Sequence, residues 1–156
     1  MRNAVKIVGS LAIVLAAALL LLSVTGFEPK GRVPGLWLKG EPVTSPVTDW
    51  SFTDKIPQIE IQTQTPYLLP HSVTIWCAVY NGNLYVTSAR GREWVEDIIR
   101  DPHVRLKIGD QVFDRTITVV DDPAEKAAAL QAKGRKYPQW KVPGVSASAV
   151  FRVNPS

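Results

Sequence analysis

Polar and apolar positions along the chain follow three different rhythms. From Ile7 to Phe27 no residue is charged, and Leu, Ala, Val and Ile go all the way round a helix, with Leu19 to Leu22 consecutive. A helix resting on a soluble core would show a stripe; an apolar girdle without a polar side fits one surrounded by lipid. These 21 residues, at about 1.5 Å each, span about 31 Å, the thickness of a bilayer's hydrocarbon. Period two takes over from Ile56 to Thr65, where Ile59 and Ile61 alternate with Glu60 and Gln62. It predicts a half-buried strand that stops near Pro66.

The sharpest local signal comes next. Ser72 to Tyr80 and Asn83 to Ser88 flank Asn81-Gly82, a pair suited to the positive φ angles of a type I′ hairpin turn. With those two residues as the loop, Val79 faces Leu84, Cys77 faces Val86, and Ile75 falls on the same apolar side. Trp76, Tyr80, Tyr85 and Thr87 share the other face, which is too aromatic for plain solvent and is expected to be covered or to bind something. Helical spacing appears at Trp94, Val95, Ile98 and Ile99, between Gly91 and Pro102, and predicts a short helix. A second hairpin about Gly109-Asp110, from Val104 to Ile108 and Gln111 to Val120, sets Leu106 opposite Phe113 and Arg105 opposite Asp114. Asp122-Pro123-Ala124-Glu125 supplies an N-cap, a proline at the first helical position and a capping glutamate for an Ala-rich helix that Gly134 is expected to end. Ala149 to Val153 reads as a last strand.

These elements predict a mainly β, α+β domain over residues 50–156, with five or six strands and two short helices. Residues 1–27 form the expected transmembrane anchor. Residues 28–49, with four prolines and three glycines, are expected to be an extended tether. Within that tether, Leu36 and Trp37 either meet the membrane interface or dock on the domain. Arg2 and Lys6 ahead of the apolar run favour a cytoplasmic N-terminus and a domain on the periplasmic or extracellular side, with Lys30, Arg32 and Lys39 weighing against it. The alternative is a cleaved signal peptide, with Val24-Thr25-Gly26 as its small-residue site.

Composition adds mostly exclusions. The chain carries 18 Lys and Arg against 14 Asp and Glu, and without Arg2 and Lys6 the excess falls to +2. That is too mild for a nucleic-acid partner, which calls for a concentrated basic stripe. Cys77 is the only cysteine, so no intrachain disulfide, thiolate-rich zinc site or iron–sulfur cluster is available, and its place on an apolar strand face reads as core. His71 and His103 have no ligand-like spacing, and no metal site is expected.

Three constellations carry possible chemistry. Thr87-Ser88-Ala89-Arg90-Gly91-Arg92 runs from strand to helix, gathering hydroxyls, guanidinium groups and free backbone N–H groups where a phosphate or carboxylate would be attracted. The plainer reading is a solvated loop whose arginines pair with Glu93 or Glu96. Arg115 alternates with Phe113, Ile117 and Val119; it lies either at the open end of the sheet or against a bound anion, because unpaired burial would be costly. Lys133, Arg135, Lys136 and Lys141, interleaved with Tyr137 and Trp140, form either a contact for a lipid surface or anionic ligand, or a solvated helix end complementing the dipole.

From Ser72 to Val120 the order is an aromatic hairpin, a strand ending in Thr87-Ser88, a basic turn, a helix with Trp94, then Asp101-Pro102 and another hairpin, with Arg135-Lys136-Tyr137-Pro138 later. In this order the chain resembles the split-barrel flavin and deazaflavin proteins related to pyridoxamine-phosphate oxidase and to deazaflavin-dependent nitroreductases. The resemblance implies a split β-barrel, a possible homodimer and FMN or a deazaflavin as cofactor. It also implies a phosphate held by Thr87, Ser88, Arg90, Gly91 and Arg92, with Trp76 or Tyr85 as an aromatic wall. The cofactor ring would carry any hydride chemistry, so no catalytic side chain is named. Two functions are then open: a membrane-anchored reductase of a small acceptor, or a noncatalytic envelope module that binds an anionic ligand, a lipid headgroup or a protein.

Overall fold

A computed structural model describes residues 2–67, 69–140 and 148–155, with side chains from Ile7 onward. Its elements are α1 (Arg2–Thr25), β1 (Glu41–Pro42), a 3-10 turn (Ser51–Lys55), β2 (Ile59–Gln64), β3 (Pro70–Ile75), β4 (Cys77–Tyr80), β5 (Asn83–Ala89), α2 (Glu93–Arg100), β6 (His103–Ile108), β7 (Gln111–Val119), α3 (Pro123–Lys136) and β8 (Ser148–Val153).

Ile7–Thr25 of α1 has a mean hydropathy of 2.8 and none of it is buried in the protein, so it is long and apolar enough to cross a membrane. The Ser23 and Thr25 hydroxyls donate back to the Leu20 and Leu21 carbonyls, which leaves them satisfied without water. The helix stops short of Phe27 because Gly26 turns to φ 85° while its N–H still bonds the Leu22 carbonyl.

After Gly26 the chain is extended, as its prolines demand, yet it is no free tether. Phe27 N–H donates to the Trp37 carbonyl and Leu36 N–H to that of Phe27, while Gly35 and Ser72 exchange both of their backbone bonds. Leu38 is fully buried, with its N–H on Gln62 Oε1 at 2.7 Å. β1 runs parallel to β7, and Trp50 enters the core. The prolines remove donors, but the intervening N–H groups and apolar side chains suffice to seat the segment against the barrel.

The sheet order is β3-β2-β6-β7-β8-β5-β4, with β1 beside β7. β3 and β4 lie at opposite ends of that path, yet only Trp76 separates them in sequence, so the sheet curls round on itself. The single strand expected from Ser72 to Tyr80 is thus broken: Ile75 pairs with Ile59 of β2, and Cys77 with Val86 of β5. Switching partners at one residue turns the barrel's corner. Both hairpins have the expected registers, with Val79 opposite Leu84, Leu106 opposite Phe113 and Arg105 opposite Asp114. Asn81 and Gly82 adopt φ 49° and 74°, the left-handed values a type I′ turn requires.

Inside, Ile59, Ile61, Leu84, Val86, Leu106, Phe113 and Phe151 pack with Trp94, Val95 and Ile98 from α2, each contributing about 1.5–3 kcal/mol by burial. A second cluster, Tyr85, Val120, Ala129, Leu130 and Val150, lies under α3 on the outer face. Asp122 caps α3, its Oδ2 accepting the Glu125 N–H at 2.7 Å. Contrary to expectation the helix runs through Gly134 to Lys136. Glycine costs only about 1 kcal/mol inside a helix, and Tyr137, buried at its end, holds the last turn down.

Arg115 lies midway along β7, opposite Val104 of β6, and is only 6% exposed. Its guanidinium packs 5.9 Å from the Trp50 ring centre and 5.5 Å from that of Phe113, and donates to the Asp114 and Ser45 carbonyls. It therefore ties the N-terminal segment to β7.

Candidate functional site

The outer face of β4 and β5 and the turn into α2 carry the residues of interest. On α3, Lys126, Leu130, Lys133 and Tyr137 fall on one face, and all four are buried. Lys133 is therefore no solvated helix end. Its Nζ donates to Thr87 Oγ1 and lies 4.2 Å from the Trp140 ring centre and 5.6 Å from that of Trp76. Among the described residues no carboxylate accepts from it. Burial pushes its pKa down to about 8, against a smaller upward pull from Cys77. The remaining basic residues differ: Lys136 Nζ donates to the Thr53 carbonyl at 2.8 Å, Arg135 is exposed, and Lys141 lies outside the described residues.

Trp76 is half-buried and one face is taken by Tyr137, stacked at 4.7 Å and 8°. The Tyr137 hydroxyl has the Pro57 and Cys77 carbonyls within reach, at 2.9 and 3.0 Å, as acceptors for its one proton, and burial foremost raises its pKa to about 12. Cys77 is fully buried and its thiol is raised by burial too, the behaviour of a core residue.

Tyr85 is sealed beneath α3 at 2% exposure. Its hydroxyl donates to Glu125 Oε1 at 2.8 Å, an oxygen that also accepts from Arg152 at 2.7 Å. It presents no ring face to a ligand, so the expected aromatic wall reduces to Trp76.

The basic turn is open. Thr87 is buried, Ser88 half-buried and paired with Ala149 of β8, and Arg90, Gly91 and Arg92 are exposed. Gly91 has φ 76° with open space around its α-carbon. Arg92 is the N-cap of α2 with no side-chain cap bond, the Val95 N–H turning back to the Arg92 carbonyl at 2.9 Å, and the positive end of the helix dipole lies at this turn. Thr87 accepts from the Lys133 ammonium, and the Arg90–Arg92 turn follows it along the chain. The sequence signal for Lys133 was its spacing from Leu130 and Tyr137, three before and four after on the helix.

A cavity of about 560 Å³ lies elsewhere, over β2, β6 and β7, and includes Gln62, His103, Arg105, Asp114 and Arg115 in its lining. There Arg105 and Asp114 satisfy each other through two bonds of 2.7 and 2.8 Å, and Arg105 holds the Asp114 carboxyl below its usual range.

No family model matches the sequence, and no curated protein does. Solved structures do. A putative pyridoxamine 5'-phosphate oxidase from Listeria innocua superposes with a TM-score of 0.55 at 14% identity, over 68% of this chain and 89% of that one. An F420 reductase gives 0.55 at 19%, over 72% and 96%. A FAD-binding protein from Mesorhizobium loti gives 0.50 at 17%, over 68% and 86%. At such identities the likeness establishes the fold: the chain is a split barrel of the α+β class, with one apolar helix ahead of it.

Proposed function

We propose that this split barrel is a membrane-held protein that binds a flavin or deazaflavin cofactor through its phosphate. The observation that carries the reading is the turn between β5 and α2. Gly91 opens it in the left-handed region, Arg92 stands at an uncapped helix N-terminus, and Thr87 and Ser88 lead into it. The residues fit a phosphate on chemical grounds: guanidinium groups offer paired donors, and the positive end of a helix dipole favours anions. The solved structures it resembles include a FAD-binding protein and an F420 reductase, which supports a cofactor of this class without choosing between them.

Thr87, Ser88, Arg90, Gly91 and Arg92 would hold the phosphate, Lys133 would add positive charge behind Thr87, and Trp76 would border the ring. When bound, such a cofactor supplies hydride transfer. The chain's own residues bind, orient and shield it; none is needed as acid or base. A homodimer and a small, lipid-soluble acceptor accompany this reading. The reading takes Ile7–Thr25 as the anchor and, following the Arg2 and Lys6 bias over the opposing Lys30, Arg32 and Lys39, a barrel on the non-cytoplasmic side.

The test is the double variant Arg90→Ala, Arg92→Ala. Losing two charge-assisted contacts is expected to weaken cofactor binding by about 10- to 100-fold, read at a temperature where the variant's thermal melt shows it fully folded. Unaltered affinity would remove this site. The second reading, a noncatalytic module for an anionic ligand, draws on the same cations and would show as phosphate binding with no flavin binding.

A further inference from the structure

Where α1 ends, the molecule displays a cluster of apolar side chains. Among the described residues beyond α1, the exposed large hydrophobics are Phe27, Val33, Phe52, Tyr67, Leu69, Ile99 and Val119. Four of these seven, Phe27, Val33, Tyr67 and Leu69, belong to two short segments beside the helix exit. One is the hairpin from Phe27 to Trp37, closed by the bonds of Phe27 with Trp37 and of Lys30 with Val33. The other is the turn between β2 and β3. Gly35 and Ser72 lock the hairpin to β3, so the two segments sit side by side, and between them runs a groove of about 520 Å³. Phe27, Pro34, Leu36, Tyr67 and Leu69 supply its apolar walls, and Thr65, His71 and Glu93 its polar ones.

Tyr67 and Leu69 in the turn are both exposed. Thr65 Oγ1 donates to the Leu69 carbonyl at 2.5 Å and accepts the Tyr67 N–H at 3.1 Å. These two backbone groups are thereby engaged, while Tyr67 remains 73% exposed. A phenol with an apolar body and polar tip, next to leucine and phenylalanine, is the composition of the membrane–water boundary. Exposed Lys30 and Arg32 flank the apolar residues on the hairpin, as anionic headgroups would require.

We propose that this end of the barrel, the Phe27–Trp37 hairpin with Thr65, Tyr67 and Leu69 beside it, is a seat on the surface of the bilayer that α1 crosses. The inference rests on the reading of α1 as a membrane anchor. The occupant is set by continuity: the helix leaves the lipid at Thr25 and reaches Phe27 within two residues, too few for the barrel to stand clear of the headgroups. An apolar patch at that point meets lipid. Because Glu93 lines the groove, the start of α2 and neighbouring Arg92 also come close to the headgroups. A cofactor held at that turn would then be within reach of a molecule dissolved in the membrane.

The full-length protein in liposomes tests this. Tyr67→Cys and Leu69→Cys, and Phe52→Cys as a comparison from another exposed apolar position, carry an environment-sensitive fluorophore; Cys77 is fully buried and resists labelling. Flotation first establishes that the chain associates with vesicles. Lipids carrying a quencher near the headgroup are expected to quench labels 67 and 69 several-fold more than label 52. Equal quenching at all three sites, in a chain that floats, overturns the seat and leaves the anchor standing. Blue-shifted but unquenched labels at 67 and 69 overturn it in favour of a second protein surface. A chain that does not float overturns the anchor and the seat together.

Discussion

Replacing Lys133 with methionine should stabilise the barrel near neutral pH, by an amount that shrinks as the pH rises. The ammonium is 5% exposed, has one hydroxyl acceptor and no carboxylate among the described residues, and its pKa is pushed from 10.5 down to about 8. At about 1.4 kcal/mol per pH unit, burying the charged form costs up to about 3 kcal/mol. Two terms reduce that figure. The Trp140 and Trp76 faces favour the charged form by about 0.5–2 kcal/mol, and the bond to Thr87 adds about 1 kcal/mol. Methionine of similar length is therefore expected to stabilise the fold by about 0–1.5 kcal/mol at pH 7.

The pH dependence is the sharper signature. Below pH 8 the lysine is charged in both states and the penalty is complete. Above 8 the folded protein releases the proton while the unfolded chain keeps it, so stability rises with pH. Tyr85 and Tyr137, each raised from 10.0 to about 12, act oppositely, because above 10 the unfolded chain ionises first and stability falls. The rising arm thus lies between about pH 8 and 10. Urea unfolding of the full chain in detergent, followed by tryptophan fluorescence at pH 7.5, 8.5 and 9.5, reads it out. The advantage of Lys133→Met should narrow steadily across that series. A constant difference, or a variant less stable than the parent throughout, would refute the account of a buried ammonium whose partners only partly offset its burial.

Arg115→Ala should destabilise by about 2–4 kcal/mol, since it empties space between Trp50 and Phe113 and releases the Ser45 carbonyl; a melt within a degree of the parent would contradict this. Gly91→Ala meets no atom within 4 Å, yet it must hold φ 76°, so a loss of about 1–2 kcal/mol is expected in chemical unfolding. Asp122→Ala removes the acceptor of the Glu125 N–H and should cost about 1 kcal/mol, with unchanged stability arguing against that cap.

How far the sequence could be read depended on the range of the interaction. Both hairpin registers were legible because Asn81-Gly82 and Gly109-Asp110 set them within a few residues, and the α3 start because Asp122 to Glu125 form a local cap. The break at Trp76 was not, since Ile75 and Cys77 continue one alternating pattern and only the partners, Ile59 and Val86, reveal the corner. The seating of residues 28–49 depended on Ser72 and Gln62, distant in sequence and invisible to composition. At the candidate site, the Thr87–Arg92 turn was legible as a strand-to-helix junction. The burial of Lys133 was masked by its charge, and that of Tyr85 by its place on a face whose cover, α3, comes about forty residues later.

The most direct measurement is titration of the purified full-length protein in detergent with FMN and, separately, with a deazaflavin, monitored by cofactor fluorescence. Saturable binding of one of them at one per chain, weakened in the Arg90→Ala, Arg92→Ala variant, is the predicted result. Failure of both to bind a folded protein would contradict the cofactor reading.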